Sequence, residues 1–311
     1  MSKAGKGFII LAAVALMAAL LSACGGQSAK EPGQGATRSF TDWTGHTVQV
    51  PDKPERIIFH GETTGDLAAL GINPVGILLS SIEGTIAEEK FKDAEDVGFP
   101  FNVEKATSLN PDLIIFGNSD EAQYEFISKV ATTVTFDTFA SLDDRLRTLG
   151  QLFGKEDQAE QWLADYHDKE AAMWQRIREG GIGPDETATV FTMYPGDRLF
   201  VMANTGLSQI LYGDGGLKPT ALVRDALDAK QGFIEISLES IPEYAGDHIF
   251  LLTPVAEEAV NDMGDMEKSS VWNSLAAVQN QNVYTFGVVE AYSDAISREW
   301  LLEQLPQALL K

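Results

Sequence analysis

A long helical stretch set between two runs of strand–helix alternation constrains this chain more than any other feature. Residues Asp143–Phe153 and Asp157–Arg178 carry apolar side chains at helical spacing, among them Ala159, Trp162, Leu163, Tyr166, Ala171 and Trp174. Gly154 is placed to separate the two parts, and Gly180-Gly181 to end the second. At 1.5 Å per residue the second part alone is on the order of 35 Å long. Few single domains contain such a helix, and it reads as a strut joining two lobes.

Alternation flanks it on both sides. Before it, Arg56–Phe59, Val75–Leu79, Leu113–Phe116 and Thr133–Phe136 read as strands, with helices at Gly65–Leu70, Val103–Ser108 and Glu121–Val130. After it, Thr189–Thr192 and Leu199–Met202 read as strands around the turn Pro195-Gly196-Asp197. Helices follow at Ser208–Leu211, Leu238–Tyr244, Val271–Val278 and Ser297–Leu310, with strands at His248–Leu252 and Val283–Phe286. Short connections between strands and helices imply parallel sheets covered on both faces. The expected class is α/β: two α/β lobes with central parallel-rich sheets, joined by a long linking helix. The division is an N-terminal lobe at 40–141, the linking helix at 142–180 and a C-terminal lobe at 181–311.

The first 39 residues read differently. Lys3 and Lys6 precede an apolar run, Phe8–Leu21, that is too short to span a bilayer but suits the core of a secretory signal. It closes on Leu21-Ser22-Ala23-Cys24, which resembles the lipobox of bacterial lipoproteins, where the cysteine thiol receives a diacylglyceryl group. Residues 1–23 are then a signal peptide, and 24–39 a lipidated cysteine and a Gly-, Gln- and Pro-rich tether. The chain is expected on the outer face of the cell membrane, held there by acylated Cys24. The competing reading is an ordinary secretory signal with a chance cysteine. Cys24 is the single cysteine, so disulfides and thiolate metal sites are excluded. Of 23 basic side chains the signal removes Lys3 and Lys6, leaving 21 against 46 acidic ones, a net charge of −25. That balance argues against a nucleic-acid partner.

Six phrases now fall in a familiar order. They are Arg56-Ile57-Ile58; Leu67-Ala68-Ala69-Leu70-Gly71 with Pro74-Val75-Gly76; and Ser108-Leu109-Asn110-Pro111-Asp112-Leu113-Ile114-Ile115. Next come Leu211-Tyr212-Gly213-Asp214 with Gly216-Leu217-Lys218-Pro219; Ile236-Ser237-Leu238-Glu239; and Val271-Trp272 through Val283-Tyr284. The chain resembles, over roughly residues 40–311, the substrate-binding lipoproteins of ATP-driven iron–siderophore importers. These belong to the helix-linked, class III periplasmic binding proteins, which also bind cobalamin and haem. The resemblance implies a ligand between the lobes, near the carboxyl ends of the strands. It implies that Glu104 and Glu239, one per lobe, pair with arginines of an ABC-importer permease. Each also sits early in a short helix, where its charge favours the amino terminus on structural grounds alone. No cofactor is expected: the ligand is a ferric chelate whose iron takes no protein side chain. The expected state is a monomer.

Loops facing such a cleft offer His60, Thr63, Ser80 and Asn118 from the first lobe, and Tyr194, Arg198, Arg224, Tyr292 and Arg298 from the second. Tyr194 reads equally as a strand-end core aromatic, and Arg298 as a solvated or ion-paired residue. Tyr292 rests on the resemblance, being in a loop that touches ligand in hydroxamate-binding relatives. Basic residues that relatives use for tris-catecholates align with Gly98, Ser119, Thr192 and Tyr194, and only Arg224 remains basic. A hydroxamate-type chelate is therefore favoured over a catecholate. Cobalamin, haem and ferric citrate remain open as other large chelates. A bare zinc or manganese site would need converging ligands, and the four histidines are scattered, with only His60 beside Glu62 suggestive. An exported α/β hydrolase would need a nucleophile motif, and no Gly-x-Ser-x-Gly is present. Replacing Cys24 with serine is expected to move the protein from the membrane pellet to the soluble exported fraction. Retention in the pellet would show that another element holds it there.

Overall fold

The computed structural model describes residues 36–311. The expected signal peptide and Cys24 lie outside the described residues. Pairing begins at Thr37, slightly before the expected start at Phe40, in a hairpin of β1 (Thr37–Thr41) and β2 (Thr47–Pro51). Phe40, Val48 and Val50 point inward from alternate positions. The Arg38 guanidinium donates to the Gln151 and Leu152 carbonyls, both at 2.7 Å, and so pins this hairpin to the body.

The first lobe is built on β3 (Ile57–His60), β4 (Gly76–Ile77), β5 (Glu95–Asp96), β6 (Leu113–Phe116) and β7 (Thr133–Thr135). All are parallel, in the order β5-β4-β3-β6-β7. Every residue of β3 and β6 is buried, as expected for strands covered on both faces. Helices α1 (Gly65–Ala69), α2 (Val103–Ser108) and α3 (Glu121–Ile127) supply the cover. Asn102 and Asp120 cap α2 and α3 by accepting from the Lys105 and Gln123 amides.

Two helices follow, α4 (Leu142–Phe153) and α5 (Glu156–Glu179), broken where the sequence places Gly154, which takes a left-handed φ of 62°. They run antiparallel: His167 reaches Asp143 at 3.0 Å, and Arg147 reaches Glu160 at 2.7 Å.

The second lobe contains β8 (Thr187–Tyr194), β9 (Arg198–Met202), β10 (Lys218–Pro219), β11 (Phe233–Ile236), β12 (His248–Thr253) and β13 (Val283–Gly287). Their order is β11-β9-β8-β12-β13, with β10 beside the start of β8. Strands β8, β12 and β13 are mutually parallel. The Pro195-Gly196-Asp197 turn makes β9 antiparallel to β8, with positive φ at Gly196 and Asp197. Helices α6 (Leu207–Leu211), α7 (Ala221–Asp228), α8 (Ile241–Tyr244), α9 (Glu257–Lys268), α10 (Ser270–Asn273), α11 (Ala276–Gln279) and α12 (Ala295–Leu309) complete it. The single helix expected over Val271–Val278 is two, α10 and α11. Helix α9 is absent from the sequence reading, because its twelve residues bury only Ala259, Met263 and Met266.

The rod differs from a free-standing strut. One continuous core takes Ile57, Phe59 and Ile115 from the first sheet and Val190, Phe250 and Leu252 from the second. Between them lie Leu146 and Leu149 of α4, Leu163, Tyr166 and Trp174 of α5, and Leu301 and Leu305 of α12. Helices α4, α5 and α12 thus form a layer shared by both sheets. Two smaller cores cover the outer faces, one around Ile58, Ile114 and Phe116, the other around Phe191, Val201 and Leu251.

At the centre of the shared layer is a fully buried ion pair. Arg145 Nε of α4 donates to Asp66 Oδ2 of α1 at 2.7 Å. The same guanidinium donates to the Ala140 and Ser293 carbonyls, and the Ala295 amide donates to Asp66 Oδ1 at 2.8 Å. A desolvated pair gains little over an apolar one, but removing one partner costs about 3–5 kcal/mol. Asp294 lies alongside, capping α12 through the Ser297 amide and hydroxyl. A Cβ on Gly65 would lie 1.9 Å from its Oδ1, so α1 and α12 meet this closely only with glycine there. Burial, and then the charge of Asp66, raise the Asp294 carboxyl to about 6. Between its unfolded pKa and that value the folded state holds a proton that the unfolded chain has released, so stability falls as pH rises through this window. Asp294→Asn keeps a capping acceptor and removes the penalty. By urea denaturation the variant should gain on the wild type by roughly 3 kcal/mol between pH 4 and pH 7. A stability difference independent of pH would contradict the buried charge.

Candidate functional site

The carboxyl ends of the parallel strands in both lobes converge on one cavity of about 260 Å³, open to solvent. Glu62 and Thr63 follow β3, and Thr138 and Phe139 follow β7. Tyr194 ends β8, Met202 ends β9, Leu252 lies near the end of β12, and Val288 follows β13. Tyr292 and Ser293 complete the wall in the loop that hangs from Arg145. Gly206 is needed there: its φ is 53°, and a Cβ would lie 2.0 Å from the Ala291 carbonyl oxygen. A depression of about 450 Å³ lies beside Gly183–Glu186 and Asp247, at the amino ends of β8 and β12. It draws on one lobe, whereas the cleft draws on both and lies where open α/β sheets hold ligands.

The structure gathers three of the expected residues, Thr63, Tyr194 and Tyr292, into the cleft. The others lie elsewhere. Strand alternation puts His60 on the same face as Ile58, packed against Phe99, Phe101 and Phe116, with Nε2 3.0 Å from the Gly98 carbonyl. Burial holds its pKa below the usual histidine value. Ser80 is exposed in the turn after β4, where Ser81 is the buried member. Asn118 is exposed and accepts from the Asp120 amide at the entry to α3. Arg198 forks onto Glu235 at 2.8 and 3.0 Å and stacks over Phe200. Arg224 lies on α7 in a surface groove with Arg178 and Lys218, near the amino end of β8. Arg298 is buried, donating to the Tyr166 hydroxyl and to Gln209 Oε1, both at 3.1 Å. It touches the cleft only through Gln209. Thr192, aligned with a catecholate contact, spends its hydroxyl on the Leu252 carbonyl inside the sheet.

Phe139, Asn204, Thr205, Gln209 and Phe233 were not anticipated. The rule that found Thr63, looking just past the carboxyl end of a parallel strand, also reaches Phe139 after β7, but not Thr205, because β9 runs antiparallel. Phe233 had no such signal, because β11 itself was not recognised.

Chemically the cleft is aromatic and hydroxyl-lined. Phe139, Tyr194 and Phe233 expose about half of their surface or more. Tyr194 and Phe233 each meet Phe200 edge to face, forming one aromatic bank. The Thr63 and Thr205 hydroxyl oxygens, one from each lobe, are buried without a hydrogen-bond partner. Buried hydroxyls are normally satisfied, so two orphans at one cleft mark acceptors and donors available to a ligand. Among the described residues no group of three or more His, Cys, Asp or Glu is placed to hold a metal ion. Away from the cleft, Glu104 and Glu239 are exposed in the first turns of α2 and of the 3-10 turn Leu238–Ser240.

Comparison with known proteins matches residues 58–288 to the family described as periplasmic binding protein. The chain is 32% identical over 319 residues to the iron(3+)-hydroxamate-binding protein FhuD of Bacillus subtilis (strain 168), covering 99% of this chain and 98% of that one. Among solved structures, the FhuD protein from S. pseudintermedius is similar with a TM-score of 0.77 at 28% identity, over 88% of this chain and 98% of that one. Staphylococcus aureus SirA complexed with staphyloferrin B is similar with a TM-score of 0.76 at 28% identity, over 87% and 98%.

Proposed function

The chain belongs to the periplasmic binding protein family, and on that premise we propose that it captures a ferric siderophore in the cleft between its lobes. It then delivers the chelate to an ABC permease for iron uptake. The cleft itself carries the reading: aromatic side chains from both lobes line it together with Thr63 and Thr205, whose buried hydroxyls lack partners. A ferric chelate is wide, has an apolar skeleton and exposes oxygens, and such a wall suits it. Its iron is already coordinated, so the protein needs to supply no metal ligand. Hydroxamate chelates are the favoured class. Polyanionic chelates such as tris-catecholates would find no basic side chain lining this cavity.

In this reading Cys24 carries the lipid that holds the protein to the outer membrane face, and residues 25–36 form the tether that leads into the hairpin at Thr37. The N-terminal lobe is 37–141, the linker 142–180 and the C-terminal lobe 181–311, and the protein acts as a monomer. Exposed Glu104 and Glu239, one per lobe, dock on permease arginines. Calorimetric titration should give saturable binding of ferric hydroxamates, and weak or no binding of ferric catecholates. Reversing both glutamates to lysine should leave that affinity within about twofold, since neither lines the cleft, while abolishing uptake of the iron chelate by cells. Lost affinity in the double variant, or unimpaired uptake, would remove the docking role. Absence of binding to any ferric hydroxamate would remove the siderophore reading.

A further inference from the structure

The charge pattern of the cleft supports one step more, which rests on the siderophore reading above. Glu62 is the one charged side chain lining the cavity among the described residues. It is exposed and has no salt bridge or side-chain hydrogen bond to any described group. Every guanidinium close to the cavity wall is already engaged. Arg145, behind Ser293, is held by Asp66. Arg198, one aromatic layer away, is held by Glu235. Arg298, behind Gln209, is held by Tyr166 and lies 3.9 Å from Glu170. Glu62 is also close to the aromatic wall: after burial, its charge is the next cause raising the Tyr292 phenol pKa.

Three hydroxamate anions neutralise Fe³⁺, so the metal core of such a chelate carries no net charge. Any charge recognised by the protein must then come from the siderophore's chain. A free carboxylate in a cavity also lined by Tyr194, Tyr292, Phe139 and Phe233 favours a cation, both by direct attraction and through the ring quadrupoles. We propose that Glu62 makes the cleft selective for ferric hydroxamates that bear a pendant ammonium group, over neutral or anionic chelates of the same size.

A matched pair tests this: ferrioxamine B, which carries a free terminal amine, and the same chelate with that amine acetylated. Calorimetry at low salt should give the ammonium form an affinity about three- to tenfold higher in the wild type. The preference should shrink as salt is raised to about 0.5 M. In Glu62→Gln the ratio of the two affinities should fall to near one. Equal binding of both chelates by the wild type would overturn the selectivity while leaving the siderophore reading standing. A preference that survives in Glu62→Gln would assign it to the acidic surface as a whole and overturn the role of Glu62. If neither chelate bound, the role of Glu62 would fall, and titration with other ferric hydroxamates would decide the siderophore reading separately.

Discussion

The Arg145–Asp66 pair is the constraint on which the rest of the structure depends. A buried guanidinium carries five donors that must find acceptors, and here they come from three separate stretches of chain. Asp66 is on α1 after β3, Ala140 precedes α4, and Ser293 lies in the loop before the last helix. The same pair also accepts the Ala295 amide at the start of α12. Because Ser293 and its neighbour Tyr292 line the cleft, one wall of the binding cavity hangs directly from this ionic centre. Fold stability and site geometry are thus set by one group of atoms.

Around that centre the helical layer is shared by both sheets. Tyr166 and Trp174 of α5 and Leu301 and Leu305 of α12 belong to the same core as Phe59 on one side and Phe250 on the other. Separating the lobes would expose well-packed apolar surface and an ion pair together, both costly. Such an arrangement tolerates small sliding or rocking, not a wide hinge. A ligand that is already rigid and needs only a groove of the right shape suits a receptor of this kind.

Much of the fold was legible from local pattern. Ile57–Phe59 of β3 and the whole of β6 announce themselves as apolar runs because both faces are covered, and Gly154 marks the break between α4 and α5 through its left-handed φ. The phrases that carry the family resemblance also have structural reasons. Arg56 donates to the Leu109 and Asn110 carbonyls, and Asp112 accepts from the Glu55 and Arg56 amides, so the first and third phrases are neighbours in space. What failed depends on distant partners. No local signal says that Arg198 will meet Glu235, that Arg298 will turn inward to Tyr166, or that His60 will face Phe101. All three are polar residues at the edge of a cleft, and their tertiary partners take them away from it. The short β11 has no fully buried residue, and α9 buries three residues at helical spacing within an otherwise polar, acidic segment that masks the pattern.

The lobe-to-lobe distance, read by pulsed electron resonance, tests the central claim most directly. Spin labels would be attached at Lys129→Cys and Glu258→Cys, both exposed and in different lobes, in a chain whose natural cysteine has been replaced. A core shared through Arg145 and Asp66 requires the distance distribution to stay narrow and to shift by no more than about 2 Å when a saturating ferric hydroxamate is added. A broad distribution without ligand, or a shift of about 6 Å or more on binding, would contradict it and show lobes that hinge freely.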